Sequence, residues 1–254
     1  MGVQIVARDI SVVYQAPDGG NLPALGPISS DISPGSFVCL LGPSGCGKST
    51  LIRVLAGLQQ ATGGEASLGK ERIVKPSPQV GVMFQDANLM PWRTVVENIA
   101  LPLELAGVEK RQRLETARQM LPGLGLGTEF AEAYPSELSG GMAQRVALGR
   151  VLIQRPEVLL LDEPFGALDA FTREQISIDL MEMWSNLRQT VVMVTHNIDE
   201  AVLLADRILV FSRRPGQIVA DVPVNLPRPR RIEDSYGEAF GQLAGQVRAA
   251  VQST

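Results

Sequence analysis

The sequence predicts an α/β fold, a parallel sheet flanked by helices, and three observations carry that expectation. Beyond residue 156, apolar strand-like runs alternate with helix-like segments, the pattern of βαβ units. Two of those runs, VLLLDEP (158–164) and TVVMVTH (190–196), are apolar until they end in polar residues, as buried parallel strands read. A third, SFVCLLG (36–42), runs straight into a glycine-rich loop and a helical pattern.

The elements follow in chain order. The first forty residues alternate apolar and polar character, with turn signals at APDGG (16–20) and SPG (33–35), which predicts antiparallel strands. STLIRVLAGL (49–58) has helical spacing, with Leu51, Leu55 and Leu58 on one face. Residues 59–84 read as short strands, the last being QVGVMF with Gln85 at its end. Residues 95–155 change texture: VVENIALPLELAG, EKRQRLETARQML and GMAQRVALGRVLI are all helix-like. The α/β alternation then resumes with EVLLLDEP, FTREQISIDLMEMWSNLR, TVVMVTH, NIDEAVLLA and RILVFS. The expected organisation is a single domain over 1–230, with its core in 1–85 and 156–222 and a helical subdomain at about 86–155. The Pro- and Arg-rich stretch 224–234 reads as extended, and the tail 231–254 as helical towards its end.

Composition narrows the function classes. The 254 residues are 45% hydrophobic and 20% charged, ordinary for a globular chain with a real core. The net charge of −4, with no basic block, argues against a nucleic-acid surface. Two cysteines make no disulfide framework, and one of them, Cys46, lies inside the glycine loop; this points to a reducing compartment. The amino terminus lacks the basic and apolar regions of a secretory signal, and Val6 stands where a myristoylation motif needs Ser or Thr. No apolar run approaches the ~20 residues that span a bilayer.

GPSGCGKS (42–49) fits G-x-x-x-x-G-K-[ST] at every fixed position, between a strand and a helix. Its glycines let several N–H groups face one anion, and the helix that follows adds its positive end. The spacing assigns Lys48 to the β and γ phosphates and the Ser49 hydroxyl to Mg²⁺. VLLLDEP ends in adjacent carboxylates; acid at a buried strand end is costly without a cation or hydrogen bonds. Asp162 is the natural Mg²⁺ partner, through water. Successive strand residues point opposite ways, which frees Glu163 to orient and deprotonate an attacking water. TVVMVTH ends at His196, the only histidine, where a parallel sheet presents its ligand-binding edge. A γ-phosphate contact is the expected role.

A second glycine turn, LSGGMAQRVALGR (138–150), lies 90 residues after Ser49. Ser139 is a good N-cap, and Gly140 and Gly141 open another helix with exposed N–H groups. Two such sites in one chain could hardly close on one phosphate from opposite sides. Two chains arranged head-to-tail could, each supplying what the other lacks.

GPSGCGKST, Gln85, LSGG, VLLLDEP, GALD and His196 resemble, in order, the Walker A, Q-loop, signature, Walker B, D-loop and H-loop of ABC-type ATPases. The resemblance implies a P-loop NTPase fold: a RecA-like parallel-sheet core, an amino-terminal antiparallel β-subdomain and an inserted α-helical subdomain. It implies a two-fold dimer with ATP and Mg²⁺ sandwiched at its interface. ATP would meet Gly42, Pro43, Ser44, Gly45, Cys46, Gly47, Lys48, Ser49 and Thr50 of one subunit and Ser139, Gly140 and Gly141 of the other. Tyr14 matches the aromatic residue that stacks on adenine, and Asp169 the aspartate that couples the two sites. Glu163 matches the catalytic base, His196 the γ-phosphate switch, and Gln85 the residue joining Mg²⁺ to the permease-facing surface. The signature often continues with Gln; Met142 stands there and cannot donate a hydrogen bond, so it is left out of the site.

With one nucleotide-binding domain and little after residue 230, the chain resembles a stand-alone bacterial importer subunit. DANLMPWRTVVENIALPLELAG, DEPFGALDAFTRE and VTHNIDEAVLLADRILVFSRRPGQI are similar to the nitrate/sulfonate/taurine importer ATPases. The resemblance implies integral-membrane permease subunits, a second copy or a sister ATPase, and, indirectly, a solute-binding protein, with the chain at the cytoplasmic face of the inner membrane. Leu89, Met90, Pro91 and Trp92 would receive a permease helix, unless Leu89 and Trp92 are core of the helical subdomain. A separate-subunit exporter or a soluble, non-transport ABC ATPase are the alternatives; the latter's long or zinc-binding insertions have no counterpart here. A P-loop kinase fits less well, because LSGG together with Glu163 beside Asp162 points to water as acceptor.

Overall fold

The computed structural model describes residues 2–16, 19–166 and 168–253. Pro17 and Asp18 of the APDGG turn and Ala167 of GALD lie outside them. The chain starts with β1 (Ile5–Gln15) and β2 (Asn21–Ile32), then β3 (Phe37–Leu41), α1 (Lys48–Leu55), β4 (Gly63–Leu68), β5 (Glu71–Arg72) and β6 (Val80–Met83). Three helices follow, α2 (Val95–Leu105), α3 (Lys110–Met120) and α4 (Gly140–Leu152), with turns of 3-10 helix between α3 and α4. Then come β7 (Val158–Asp162), α5 (Ala170–Leu187), β8 (Thr190–Val194), α6 (Ile198–Leu204), β9 (Arg207–Phe211), β10 (Ile218–Pro223) and α7 (Glu238–Gln252).

Two sheets result. The antiparallel one has the order β2-β1-β4-β5, and the larger one the order β10-β9-β3-β8-β7-β6. In the larger sheet every pairing is parallel except that of β10 with β9. This is the predicted α/β class.

The unbroken apolar strands have a simple reading. In β3, Phe37, Cys39 and Leu41 enter the core under the helices, while Val38 and Leu40 enter the core shared with α1 and the antiparallel sheet. β7 and β8 divide the same way, with Leu159, Leu161, Val191 and Met193 on one side and Val158, Leu160, Val192 and Val194 on the other. Side chains of a strand alternate between faces, so a strand covered on both must be apolar at every position. Each such residue contributes about 1.5–3 kcal/mol on burial.

Three local features depart from the sequence reading. Leu58 is not on the buried face with Leu51 and Leu55; the helix ends at Leu55 and Leu58 is 52% exposed. Gly57 turns the chain there at φ +70°, and a Cβ on it would come within 2.3 Å of the Lys75 carbonyl. β6 stops at Met83, so Gln85 sits in the loop beyond the strand rather than at its end. The antiparallel edge strand β10 was not anticipated, because its exposed edge dilutes the apolar signal.

The Arg-rich stretch is a clamp. Arg230 is 3% exposed and donates to the carbonyls of Val202, Leu203, Ala205, Val224 and Leu226. It thereby answers the orphan carbonyls at the end of α6. Burial, with Arg228 nearby, lowers its guanidinium to about 10. Arg228 lies 4.3 Å over the buried Trp184 ring and binds Asp206. α7 then packs Phe240, Ala244 and Val247 into the core.

Candidate nucleotide site

The larger sheet positions the site, because its parallel strands all end at one edge. β3, β8, β7 and β6 deliver there, in that spatial order, the glycine loop, His196, the Asp162–Glu163 pair and the segment of Gln85.

The loop curls as its glycines require. Gly47 caps α1 at φ +107°, and a Cβ there would lie 2.7 Å from the Ala24 carbonyl. Ser44 and Gly45 are exposed, while Cys46, Lys48 and Thr50 are buried. Lys48 Nζ donates to the carbonyls of Gly42 at 2.7 Å and Pro43 at 2.8 Å, folding the side chain back over the loop. Its ammonium is therefore held where the loop would receive phosphate oxygens. Tyr14 stands beside α1: its hydroxyl donates to Gln59 Oε1 at 2.8 Å and lies 3.3 Å from Thr50 Oγ1. Its ring is half-buried against the core under the antiparallel sheet.

The carboxylates are held separately. Ser49 Oγ donates to Asp162 Oδ1 across 2.9 Å. Burial pushes the Asp162 carboxyl up despite that bond, and the neighbouring Glu163 pushes the same way. An acid so placed is poised for a cation, and a serine hydroxyl with a carboxylate oxygen suits hard Mg²⁺. Glu163 adopts φ +47°, a costly conformation for a side chain this long. Its N–H donates to the Val194 carbonyl at 3.0 Å, which fixes the turn against β8. The Glu163 carboxylate lies 3.5 Å from His196 Nδ1, and both side chains remain accessible.

The signature turn is elsewhere. Ser139 caps α4 by accepting from the Met142 N–H at 3.3 Å, and Ser139 and Gly140 are exposed. Gly141 is buried, and a Cβ on it would strike Thr172 of α5 at 2.5 Å, so it also serves packing. Among the described residues no hydrogen bond or ion pair joins these three to the glycine loop. Met142 packs partly into the core. Asp169 caps α5 through the Thr172 N–H and hydroxyl, which hold its carboxyl below the usual range. The Gln85 side chain is exposed, and its carbonyl accepts from Gln144 Nε2 at 2.8 Å.

Four supporting residues escaped the sequence reading. Arg173 Nη2 donates to the Leu168 carbonyl at 2.9 Å and Nε to that of Phe165 at 3.3 Å, bracing the loop after Glu163. Glu200 is buried behind His196, accepts from the Thr195 hydroxyl, and is pushed up by burial. Gln144 and Arg150 hold the segment after Gln85. The available signal was polar residues on otherwise buried helix faces, as Gln144 in α4 and Glu200 in α6 are.

Leu89 and Met90 are half-buried, whereas Trp92 is 70% exposed and so is not core. The buried Asn98 side chain grips Met90 from both sides: Oδ1 accepts from its N–H, and Nδ2 donates to its carbonyl and those of Arg93 and Thr94. No helix among the described residues is long and apolar enough to cross a membrane.

Comparison with known proteins identifies the family. The ABC transporter family model matches residues 25–166. The chain is 45% identical over 220 residues to the taurine import ATP-binding protein TauB of Escherichia coli, covering 86% of each. It is 46% identical over 208 residues to the nitrate import ATP-binding protein NrtD of Synechocystis, covering 82% of this chain and 78% of that protein. A dimeric ATP-binding cassette solved in a post-hydrolysis state with ADP and Pi superposes with a TM-score of 0.78 at 30% identity, covering 88% of this chain and all of that one. The chain belongs to the ABC transporter family, whose members TauB and NrtD it resembles along most of its length.

Proposed function

We propose that the chain is the ATP-hydrolysing subunit of a bacterial importer for a small solute of the nitrate, sulfonate or taurine type. It would work at the cytoplasmic face of the inner membrane, with separate permease subunits and, through them, a solute-binding protein. The relatives named for taurine and nitrate import support that reading of the solute class.

One observation carries the mechanism: Lys48, Ser49, Asp162, Glu163 and His196 gather at one sheet edge, while Ser139 and Gly140 lie exposed on another element. Half a site of each kind per chain calls for a second chain, either a copy or a sister ATPase. The solved relatives described as dimeric support this. Gly42, Pro43, Ser44, Gly45, Cys46, Gly47, Lys48, Ser49 and Thr50 would cradle the phosphates, and Tyr14 would lie against adenine. Ser139, Gly140 and Gly141 of the partner would close on the γ-phosphate, with Asp169 linking the two sites. Ser49, Asp162 and Gln85 would hold Mg²⁺, which would neutralise phosphate charge during the transfer.

Glu163 is placed to accept a proton from water as the water oxygen attacks the γ phosphorus. The bond to the bridging oxygen breaks, ADP leaves, and His196 steadies the phosphoryl oxygens. Trp92, with Leu89, Met90 and Pro91, would receive the permease.

The test is light scattering of Glu163→Gln with Mg·ATP, followed by recovery of the native chain from its own membranes in mild detergent. An ATP-dependent dimer and a co-purifying polytopic permease are expected. A monomer at saturating ATP would overturn the shared-site mechanism, and ribosomes or DNA in place of a permease would overturn the transport role.

A further inference from the structure

Helix α4 begins at the signature turn and ends beside the segment that follows Gln85, and three hydrogen bonds join it to that segment. Gln144 Nε2 donates to the Gln85 carbonyl at 2.8 Å. Arg150 Nη2 donates to the Ala87 carbonyl at 2.7 Å and Nη1 to that of Asn88 at 2.8 Å. Asn88 adopts φ +44°, which turns the chain so that its carbonyl meets the guanidinium.

Neither side chain is an economical packing element. Gln144 is 5% exposed, and its Oε1 is buried without a hydrogen-bond partner, so an apolar residue of that size would fit at lower cost. Arg150 has no acidic partner within 4 Å among the described residues, and burial alone lowers its guanidinium. A planar fork spanning two successive carbonyls is what Arg supplies and Lys does not. Both groups are kept at a cost, and all that they hold is backbone.

The gripped segment is short and already braced. Asn98 of α2 holds Met90, Arg93 and Thr94, so residues 85–94 are tied to α4 at one end and to α2 at the other. Between the ties lie Leu89, Met90, Pro91 and the exposed Trp92. The 13 residues of α4 then extend about 20 Å to Ser139 at its amino terminus.

We infer that Gln144 and Arg150 are positioning residues that make α4 and the 85–92 segment one rigid unit. A displacement of the segment is thereby delivered to Ser139, and so to the ATP held by the opposite subunit. This rests on the reading above that 89–92 docks the permease, but the latch is measurable without one.

The experiment places nitroxide labels on Trp92→Cys and Ser136→Cys, both at exposed positions; the native Cys39 and Cys46 are buried and stay unlabelled. The label-to-label distance distribution is measured with and without Mg·ATP. With the latch intact, one narrow distribution is expected in both conditions. Gln144→Leu combined with Arg150→Ala broadens it. Should that pair fail to fold, Gln144→Leu alone, which keeps the volume, reads the same distance.

Hydrolysis supplies the second readout. In unlabelled latch variants the ATP concentration for half-maximal turnover rises by about fivefold or more, the lower end of ordinary intersite coupling. ATP affinity of the monomer stays within about twofold, and Arg150→Lys falls between. A merely structural role would lower kcat with the active fraction and leave half-saturation unchanged. A distance distribution indifferent to the double variant, or unchanged half-saturation, overturns the latch. Failure to recover a permease would instead overturn the docking role and leave both readouts standing.

Discussion

Ser49 Oγ and Asp162 Oδ1 are 2.9 Å apart, although 113 residues separate them in the chain. The first lies in the opening turn of α1, which follows β3, and the second ends β7, with β8 between β3 and β7 in the sheet. The hydroxyl and the carboxylate are thus held together before any cation arrives. The carboxyl is nonetheless raised by burial, so its ionised form is a liability in the empty fold.

That liability gives a prediction with a definite sign. A carboxyl raised above its unfolded value of 3.8 removes stability as pH climbs from that value through the folded one. Asp162→Asn should therefore abolish Mg²⁺-dependent hydrolysis yet stabilise the nucleotide-free protein by roughly 0.5–2 kcal/mol at neutral pH. The gain should vanish at acid pH, where Asp162 is protonated too. Thermal melts of both proteins across pH check this, and an Asn variant less stable at pH 7 would refute it.

Glu163→Gln should cut hydrolysis by on the order of 10²–10⁴-fold while leaving ATP binding intact. The amide keeps the shape and the strained turn but cannot take a proton. Single-turnover assays beside equilibrium binding separate the two effects. Near wild-type turnover would remove Glu163 from the role of base.

Ser139→Arg should stop hydrolysis without weakening nucleotide binding to the monomer, because Ser139 is exposed and unconnected to its own glycine loop. In dimers mixed with wild type, one of the two sites should recover. Titrating the ratio of subunits reads this directly, and recovery at both sites contradicts a shared site.

Trp92→Ala should leave the unfolding free energy within about 0.5 kcal/mol of wild type, since the ring is 70% exposed. It should also cost retention on permease-containing membranes. A strongly destabilised variant would return Trp92 to a packing role.

Arg230→Ala should cost about 2–4 kcal/mol, as the carbonyls of Val202, Leu203, Ala205, Val224 and Leu226 lose their common donor. Denaturant midpoints, with protease cleavage ahead of α7 as a local probe, measure it. A change below about 0.5 kcal/mol would show that the tail is held by α7 alone.

Much of the fold was legible because its signals are local. Strand, glycine loop and helix adjoin in 36–58, and the two-sided burial of β7 and β8 leaves runs with no polar interruption. Where the signal is diluted, the reading slipped. β10 at the sheet edge shows no clean pattern, and Leu58 belongs to the helical period but lies past a turn set by the distant Lys75 carbonyl. The Arg-rich stretch read only as extended, because composition cannot reveal that Arg230 ends against the carbonyls of α6.

By itself the sequence determined the chemistry on offer: a phosphate-binding loop, adjacent acids at a strand end, a lone histidine and a second helix-opening glycine turn. Each of these depends on neighbours a few residues away, through backbone conformation and side-chain type. Only the tertiary structure decided which groups meet. The order of β3, β8 and β7 brings Ser49 to Asp162 and His196 to Glu163, and leaves Ser139 turned outward. It also decided that α4, through Gln144 and Arg150, holds the segment after Gln85. Such pairings are made by strand order and helix packing across tens of residues, where spacing along the chain carries no information.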